Sequence, residues 1–472
     1  MTQPIRHADF GGRLHLLGLG SIGQAMLPLL LRHLGITPAQ ISILAASDRA
    51  AAVAREYGLD FQAHRLMRDN YREVLAPRLQ PGDFLLNLSV DVSSLALIEL
   101  CHERGALYLD ASIEPWAGTY IDPALTPSQR SNYALREAAL AWGRAHPGGP
   151  TALLTQGANP GLASSFVKQA LLHLAAEAGL PSARVSMPAD WARLAQQLGV
   201  KVIHVAERDT QLSPVRKHKD EFVNTWSVDG FMGEGRQPAE LGWGTHERHW
   251  PADAAPHDYG CGAAIYLQRP GAATRVRSWT PLEGPFHGFL ITHAESISIA
   301  DYLTLREGEA VRYRPTVHYA YHPCDDAVLS LHEAAGRHWR LQPRQRILRD
   351  EISEGLDELG VLLMGQSGGV YWYGSRLSIE EARRLAPLNS ATTLQVAAGV
   401  LAGLVWALRH PQRGVVEPEA LDHEQVLAIA APYLGQLVGV RGDWTPLKDR
   451  SRLFAEATDE SDPWQFINFR VG

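Results

Sequence analysis

The chain has 472 residues, which is too long for one ordinary hydrophobic core, so we expect two or three domains. A hydrophobic fraction of 45% and a charged fraction of 20% are typical of a soluble globular protein. The net charge of −7 argues against nucleic-acid binding and slightly favours a cationic substrate. No uninterrupted apolar run approaches the roughly 18 residues of a membrane span, and no apolar signal core follows the N-terminus. Three cysteines without CxxC spacing favour a reduced, cytoplasmic setting.

The first organised stretch is RLHLLGLGSIGQAMLPLLLRHL, residues 13–34. A short apolar run predicts a buried strand, a GxGxxG turn follows it, and a helical pattern begins directly afterwards. In such a turn one glycine allows the tight bend, one lets the backbone approach a pyrophosphate, and one lets helix and strand pack closely. The free N–H groups of the helix would face the pyrophosphate. We therefore predict a dinucleotide site whose contacts here are Gly18, Gly20, Ser21, Ile22 and Gly23.

The second predicted strand, residues 41–46, lacks a feature of most NAD sites. An acidic residue at the end of this strand usually holds the ribose hydroxyls, but this chain has Ala45 there. Asp48, in the following loop, is our candidate for the ribose contact, whereas Arg49 would favour a 2′-phosphate. The sequence thus predicts a nicotinamide dinucleotide but leaves open whether it is NAD or NADP.

Two further strands place polar residues at a common edge. Strands are predicted over residues 83–91 and 106–112, each after a helical segment. Ligands bind outside the carboxyl ends of the strands in an open parallel sheet. Near these ends we expect Asn87 and Ser89 to contact the cofactor. We expect Asp91 and Glu114 to contact the substrate.

Together these patterns predict an α/β protein. A Rossmann-type, doubly wound parallel sheet is expected over residues 1–155, and a second, α+β domain for substrate and dimer contacts over residues 156–389. Residues from about 390 to 472 are expected to return to the first domain. Within them, SATTLQVAAGVLAGLVWAL, residues 390–408, is apolar nearly all round and should be a buried helix. In the second domain, short strand-like runs such as GFLITHAESISI, residues 288–299, predict a mainly antiparallel sheet.

Several charged and aromatic residues between positions 114 and 295 lie within apolar strings. Taken singly, each has a plain structural explanation: Glu207 could pair with Arg208, and a lone Trp or His is commonly a core residue. Taken together, carboxylates and an aromatic face in one cleft form a receptor for ammonium groups, through charge-assisted hydrogen bonds and cation–π contact. The residues of this set are Glu114, Glu207, Trp226, Glu234, His293 and Glu295.

The chain resembles the bacterial homospermidine synthases, within the saccharopine dehydrogenase-like group. The resemblance runs nearly end to end, through strings such as GLGSIG, NLSVD, RSNYALRE, GANPG, AERDT, NTWSV, THAESISIAD, DELGVLL and SDPWQF. It implies a homodimeric, NAD-dependent enzyme that joins two putrescines into homospermidine with loss of ammonia, with spermidine as an alternative aminobutyl donor. Relatives carry an aspartate where this chain has Ala45, which leaves the ribose contact open. The resemblance implies no metal site.

That chemistry assigns expected roles. Glu207 is the candidate base that makes the first amine neutral, helped by His293 or Asn159, and the face of Trp226 would stabilise a cationic imine. The distal ammonium would be held by Glu114 and Asp91, and the entrance or the second amine would be served by Glu234 and Glu295. Two alternatives stay open: a related dehydrogenase for saccharopine or carboxyspermidine, which needs an Arg or Lys clamp for a carboxylate, and a non-catalytic NAD sensor.

Overall fold

The computed structural model describes residues 5–181, 185–366 and 368–472. Its strands are β1 (Ala8–Asp9), β2 (Leu14–Leu17), β3 (Leu34–Gly35), β4 (Ile41–Ala45), β5 (Asp60–Ala63), β6 (Phe84–Asn87), β7 (Leu107–Asp110), β8 (Ala152–Leu153), β9 (Val202–Asp209), β10 (Glu221–Asn224), β11 (Pro238–Gly242), β12 (Ala254–Pro256), β13 (Ala264–Pro270), β14 (Arg275–Thr280), β15 (Gly284–Phe289), β16 (Leu305–Glu307), β17 (Ala310–Tyr313), β18 (Thr316–His322), β19 (Arg344–Ile347), β20 (Leu356–Met364), β21 (Val370–Ser378), β22 (Val415–Val416) and β23 (Gln436–Gly442).

The helices of the described residues are α1 (Ser21–His33), α2 (Ala51–Glu56), α3 (Tyr71–Leu75), α4 (Ser94–Arg104), α5 (Asn132–Ala145), α6 (Leu162–Glu177), α7 (Pro188–Gln197), α8 (Val228–Arg236), α9 (Ala294–Tyr302), α10 (Asp325–Gly336), α11 (Ile379–Leu385), α12 (Ala391–Arg409), α13 (His423–Ala430) and α14 (Phe466–Phe469).

The first sheet is parallel throughout and has the strand order β22-β8-β7-β6-β2-β4-β5. Its central strands are buried along their whole length because helices cover both faces, as expected for apolar runs such as Leu14–Leu17. The predicted Rossmann-type α/β fold is confirmed. The strand predicted over residues 83–91 ends at Asn87, so Ser89 and Asp91 belong to the loop that follows it.

Helix α12 comes from the C-terminal part of the chain and packs against α1, β7 and β8 of the first sheet and against β20 and β21. Its side chains are buried almost all round, as the apolar pattern predicted. Its N-cap residue, Ser390, accepts a hydrogen bond from the backbone of Thr393. By length and composition this helix could cross a membrane, but 89% of its most apolar window is buried inside the protein, as in a core helix.

The second sheet is mixed and mainly antiparallel. Its strand order is β12-β13-β11-β18-β9-β20-β21-β23, with the β14–β15 hairpin attached to β18. The central pair is parallel, with Glu207 of β9 beside Tyr321 of β18. Strand β20 runs antiparallel to β9 on the other side, where Leu359 lies opposite Glu207. Glu207 therefore occupies a strand in the middle of this sheet.

One predicted strand is wrong. A strand is predicted over residues 288–299. In the structure, strand β15 ends at Phe289, and helix α9 begins at Ala294. Alternating apolar residues suggested a half-buried strand, but α9 is buried on all sides, so the pattern could not show its period. Glu295 in the first turn favours the helix because its charge complements the positive N-terminus.

A buried arginine joins the two parts of the structure. Arg136 of α5 is only 4% exposed and donates to Glu417 at 2.6 Å and to Asp301 of α9 at 2.9 Å. It also contacts Glu137 at 2.8 Å. Since removing one partner from a buried ion cluster leaves an uncompensated charge, this cluster holds α5, α9 and the C-terminal segment in register.

Candidate active site

The glycine turn has the geometry of a pyrophosphate cradle. Gly18 has φ +86°, and a Cβ there would lie 2.7 Å from the carbonyl oxygen of Leu88. A Cβ at Gly23 would overlap the carbonyl oxygen of Gly18, so both glycines are needed by the fold itself. A Cβ at Gly20 would meet nothing within 4 Å. No side chain caps the first turn of α1, so its N–H groups face this open space and fit a dinucleotide.

The loop after β6 lies beside this turn. Asn87 is buried; its side-chain oxygen accepts hydrogen bonds from the backbone and the hydroxyl of Ser89, the latter at 2.6 Å. Its amide donates to the hydroxyl of Tyr108 at 3.3 Å. These bonds fix the loop at the carboxyl edge of the first sheet, where a cofactor would pass.

A cavity of about 130 Å³ lies between the two sheets. It brings together predicted residues from distant parts of the sequence: Ile22, Asn87, Ser89, Glu114, Asn159, Glu207, Trp226, Glu234 and His293. The described lining of this cavity contains three carboxyl groups, one imidazole and one indole, and no Arg or Lys. Such a site is suited to cations.

A second cavity, of about 430 Å³, continues from the first, since Ser89 and Val90 line both. Asp91, Gly18 and Ala46 border it, as does the loop of residues 64–68. Asp48 is exposed and is not part of the lining, so the structure places it only near this cavity. The remaining predicted residues do not line either cavity: Gly20, Ser21 and Gly23 form the turn beside them, and Glu295 lies buried beneath His293.

Glu207 is almost fully buried at the inner end of the first cavity, with 1% of its surface exposed. Its Oε2 accepts hydrogen bonds from Nδ2 of Asn159, at 2.6 Å, and from the hydroxyl of Tyr319. Burial raises the pKa of Glu207 to about 7, although these two hydrogen bonds favour the ionised form. A carboxyl group with a pKa near neutrality can both take and return a proton at physiological pH.

His293 lies between two carboxylates. Its Nε2 is 3.2 Å from Glu234, its Nδ1 is 3.2 Å from Glu295, and its ring packs on Tyr319 at 4.2 Å. Burial alone would lower the pKa of His293, but the charges and hydrogen bonds of the two glutamates outweigh it and raise the pKa to about 10. His293 is therefore a cation at neutral pH, held between two carboxyl groups.

The outer part of the cavity has a negative field. Glu114 accepts from the backbone N–H of Asp91 at 3.4 Å, and burial, followed by the charge of Glu234, raises the pKa of Glu114 well above its usual range. A buried carboxyl group whose pKa is raised by burial and by a neighbouring carboxylate has too little positive charge around it. A cationic ligand would supply it.

An aromatic wall faces these carboxylates. The indole N–H of Trp226 donates to the hydroxyl of Tyr321 at 3.1 Å, and Tyr321 stacks on Tyr319 with ring centroids 5.1 Å apart. The bond fixes the orientation of the indole, which lines the cavity. A ring held in this way can stabilise a cation by about 0.5–2 kcal/mol, depending on how much water is excluded.

Some residues of the site were not predicted. Tyr319 and Tyr321 alternate in HYAYH and so lie on one face of β18, a period that a strand assignment could have used. Asp357 of β20 lies beside Glu207 only because two distant strands pair, and Thr392 of α12 reaches the cavity from the C-terminal part. Neither position has a local signal.

The family comparisons agree with this architecture. Residues 14–153 match the saccharopine dehydrogenase NADP binding domain, and residues 157–443 match the saccharopine dehydrogenase C-terminal domain. The fold and its cleft thus define a protein of the saccharopine dehydrogenase-like class.

Similar proteins define a narrower group. A homospermidine synthase of Blastochloris viridis is 56% identical over 99% of both chains, and one of Mesorhizobium japonicum is 48% identical over 98% of this chain and 97% of the relative. A crystal structure of a homospermidine synthase from Legionella pneumophila in complex with NAD is 51% identical, covers 98% of each chain and superposes with a TM-score of 0.92. The chain belongs to the homospermidine synthase family.

Proposed function

We propose that this protein is an NAD-dependent homospermidine synthase that condenses two putrescines into homospermidine and releases ammonia. With spermidine as aminobutyl donor it would release diaminopropane instead. The names of the relatives support this reaction. The observation that carries it to this chain is the cavity lined by Glu114, Glu207 and Glu234. Because none of its described lining residues is Arg or Lys, the cavity lacks the clamp that saccharopine- and carboxyspermidine-type dehydrogenases need for a carboxylate.

The cofactor we propose is NAD, as in the Legionella structure. The turn at Gly18, Gly20 and Gly23 would hold its pyrophosphate, and Asn87 and Ser89 would position the part that enters the first cavity. Bound NAD would remove a hydride from the carbon that carries the reacting amine and later return it to that carbon. For the ribose, we propose Asp48, which follows the cavity-lining Ala46 in the loop after β4.

Glu207 would perform the proton transfer. The reacting amine must be neutral before its carbon loses a hydride, and a carboxylate with a pKa of about 7 can accept the ammonium proton. Asn159 and Tyr319 hold the carboxylate in place through Oε2, which leaves Oε1 for other contacts. Glu207 would return the proton to the product amine.

Trp226 would face the cationic imine of the substrate. Its fixed indole ring offers a negative face within the cavity, where water is scarce and the attraction is stronger. The burial of this wall would also keep water from hydrolysing the imine before the second amine adds.

The carboxylates at the outer end would position the ammonium groups. Glu114 and Asp91 would hold the distal ammonium of the first putrescine, and Glu234 would serve the second amine. Glu295 lines neither cavity, so it would act on this amine only through His293, which also contacts Glu234. His293 is better suited to orienting these two glutamates than to assisting the base, because it is itself protonated between them.

The domain organisation and assembly are proposals as well. We propose that residues 1–155 and the return from about 390 form the NAD-binding part, which the position of α12 against the first sheet supports, and that residues 156–389 bind substrate. The family resemblance supports a cytoplasmic homodimer that acts on putrescine, spermidine and homospermidine and binds neither nucleic acid nor membranes. Light scattering of the purified protein would test the dimer.

The activity is tested by incubating the protein with putrescine and catalytic NAD. We expect homospermidine and ammonia in equal amounts, measured by mass spectrometry and an ammonia assay, and no product without NAD. Formation of a carboxylated amine from an amino acid, with no homospermidine from putrescine, would overturn the proposal.

A further inference from the structure

Three carboxyl groups share one buried cluster behind the active-site cavity. Glu207 and Asp209 point to the same face of β9, and Asp357 lies opposite Asp209 on β20, diagonal to Glu207. Asp209 and Asp357 have no exposed surface, and Glu207 has 1%. Three ionised carboxylates so close together, away from water, would repel each other strongly.

The hydrogen-bond donors are unevenly distributed over the cluster. Asp209 accepts bonds from the backbone and side chain of Gln211, at 2.8 and 3.0 Å, and from Thr225 at 2.7 Å. Glu207 accepts two bonds, described above. Asp357 accepts one, from the hydroxyl of Thr392 at 2.6 Å, and its Oδ1 is buried without a partner.

An ionised Asp357 would thus be the least stabilised of the three anions. A carboxylate oxygen that is buried without a donor pays the full cost of lost hydration, whereas a protonated carboxyl becomes a donor. Glu207 lies diagonal to Asp357 on the neighbouring strand, and a side-chain hydrogen bond with Glu207 is among the causes that raise the pKa of Asp357, so Glu207 is the acceptor to which a protonated Asp357 could donate.

We propose that Asp357 is the protonated member of this cluster and donates a hydrogen bond to Glu207, which makes it a positioning residue for the base. The kinetic part of this inference rests on the proposed function. The proton keeps one negative charge out of the cluster, and the bond holds Glu207 from the side opposite the cavity. Glu207 then stays ionised and ready to accept the proton of the substrate.

The electrostatics of the surrounding elements agree with this assignment. Burial, followed by the charges of Glu207 and Asp209, raises the pKa of Asp357 well above its usual range. Tyr319 and Tyr321 of β18 also face the cluster, and burial and these carboxylates raise their pKa values, so both stay neutral. Arg208 is the cation that acts on Asp209. Thr392 belongs to the first turn of α12, whose positive end favours the anions that remain.

The first test uses the resting protein and needs no substrate. Infrared spectra near neutral pH should show a carbonyl band of a protonated carboxyl group that disappears in Asp357→Asn. Asp326→Asn is the matched control, because Asp326 is also buried but is paired with Arg216 at 3.2 Å, so its replacement should remove no such band. If Asp357→Asn leaves the protonated-carboxyl region unchanged, the inference is wrong, whatever the enzyme's substrate.

Thermal unfolding provides a second measurement of the same proton. A pKa that is higher in the folded than in the unfolded state means that the folded protein binds this proton more tightly. The free energy of unfolding should therefore fall, through Asp357, as pH rises above the pKa of the unfolded carboxyl group. The stability of Asp357→Asn relative to the wild type should therefore increase between about pH 5 and pH 8. A difference that stays constant over this interval would contradict the assignment.

The kinetic test compares two substitutions. The amide of Asp357→Asn can donate as a protonated acid does, so turnover should stay within about threefold of the wild type and the acidic limb of the pH profile should not move. Asp357→Ala removes the donor, so turnover should fall about tenfold and the limb should shift to higher pH. A limb that shifts to lower pH in Asp357→Asn would show that Asp357 works as an anion. Unchanged kinetics in Asp357→Ala would also overturn the positioning role.

Discussion

Asn159 donates a 2.6 Å hydrogen bond to Glu207 across the junction between the two sheets. Asn159 lies in the loop between β8 of the first sheet and α6, and Glu207 lies in the middle of the second sheet. Asn159, which follows the first sheet, thus holds Glu207, the proposed base in the second sheet. The proposed catalytic geometry therefore depends on contact between the two parts, which the Arg136 cluster and α12 maintain.

The open space beside Gly20 makes a specific prediction about cofactor binding. Gly20→Ala should fold normally because its methyl group meets no atom of the protein, but it should raise the Kd of NAD about tenfold or more by filling the cradle. Gly23→Ala is the comparison: its methyl group would overlap the carbonyl oxygen of Gly18, so we expect a stability loss of about 1–3 kcal/mol. Calorimetry with NAD and thermal unfolding measure the two effects. Unchanged NAD affinity in a well-folded Gly20→Ala protein would place the pyrophosphate elsewhere.

A pH profile examines the proposed base. Since Glu207 must be ionised to accept a proton and its pKa is about 7, turnover should rise with pH between about pH 6 and 8. In Glu207→Gln, which keeps shape and loses charge, turnover should fall by about 10² or more while NAD binding persists. The exposed Glu73→Gln serves as a control for the loss of one charge and should behave as the wild type. Near-normal turnover in Glu207→Gln would move the role to Glu114.

Two substitutions of Trp226 distinguish a packing role of this side chain from electrostatic stabilisation of a cation by its ring. Trp226→Leu should lower turnover strongly, because the negative ring face is lost, whereas Trp226→Phe should keep part of the activity. Thermal unfolding of both variants controls for their stability. Equal turnover of the Phe and Leu variants would leave Trp226 as a packing residue only.

Asp48 is the residue that we expect to determine the preference for NAD over NADP. NAD should support turnover better than NADP, and Asp48→Ala should weaken NAD binding, with the exposed Asp60→Ala as the matched control. Arg65 and Arg68 line the second cavity and, with Arg49 in the loop after β4, are the cations that we expect a 2′-phosphate to use. Equal or greater turnover with NADP would mean that these arginines, and not Asp48, determine the preference.

Local patterns were enough for much of the fold. The glycine turn, the buried strand before it and helix α12 all follow from short-range periodicity, and the structure confirms them. The prediction failed at residues 288–299, where the chain is buried on every side. Hydrophobic period carries no information at such a place, so strand and helix look alike.

The candidate site was predictable as a set of residue types but not as a geometry. Glu207, Trp226 and His293 come together as a cation receptor requires, yet their roles remain predictions. The protonation of His293 depends on two glutamates within 3.2 Å, and Asp357 reaches Glu207 only through strand pairing. Such long-range contacts decide charge states and have no signature in the sequence.

In the proposed reaction, oxidation and reduction occur at one carbon during a single residence of the cofactor. The direct measurement uses putrescine deuterated at both nitrogen-bearing carbons, with excess unlabelled NADH in solution, and the mass of the homospermidine formed. The pyrophosphate cradle and the cavity between the two sheets favour slow release of the reduced cofactor. We therefore expect product that retains all of its deuterium, with no net change in NADH absorbance. Replacement of one deuterium by hydrogen would contradict the account, because it would show that the cofactor exchanges before the second amine adds.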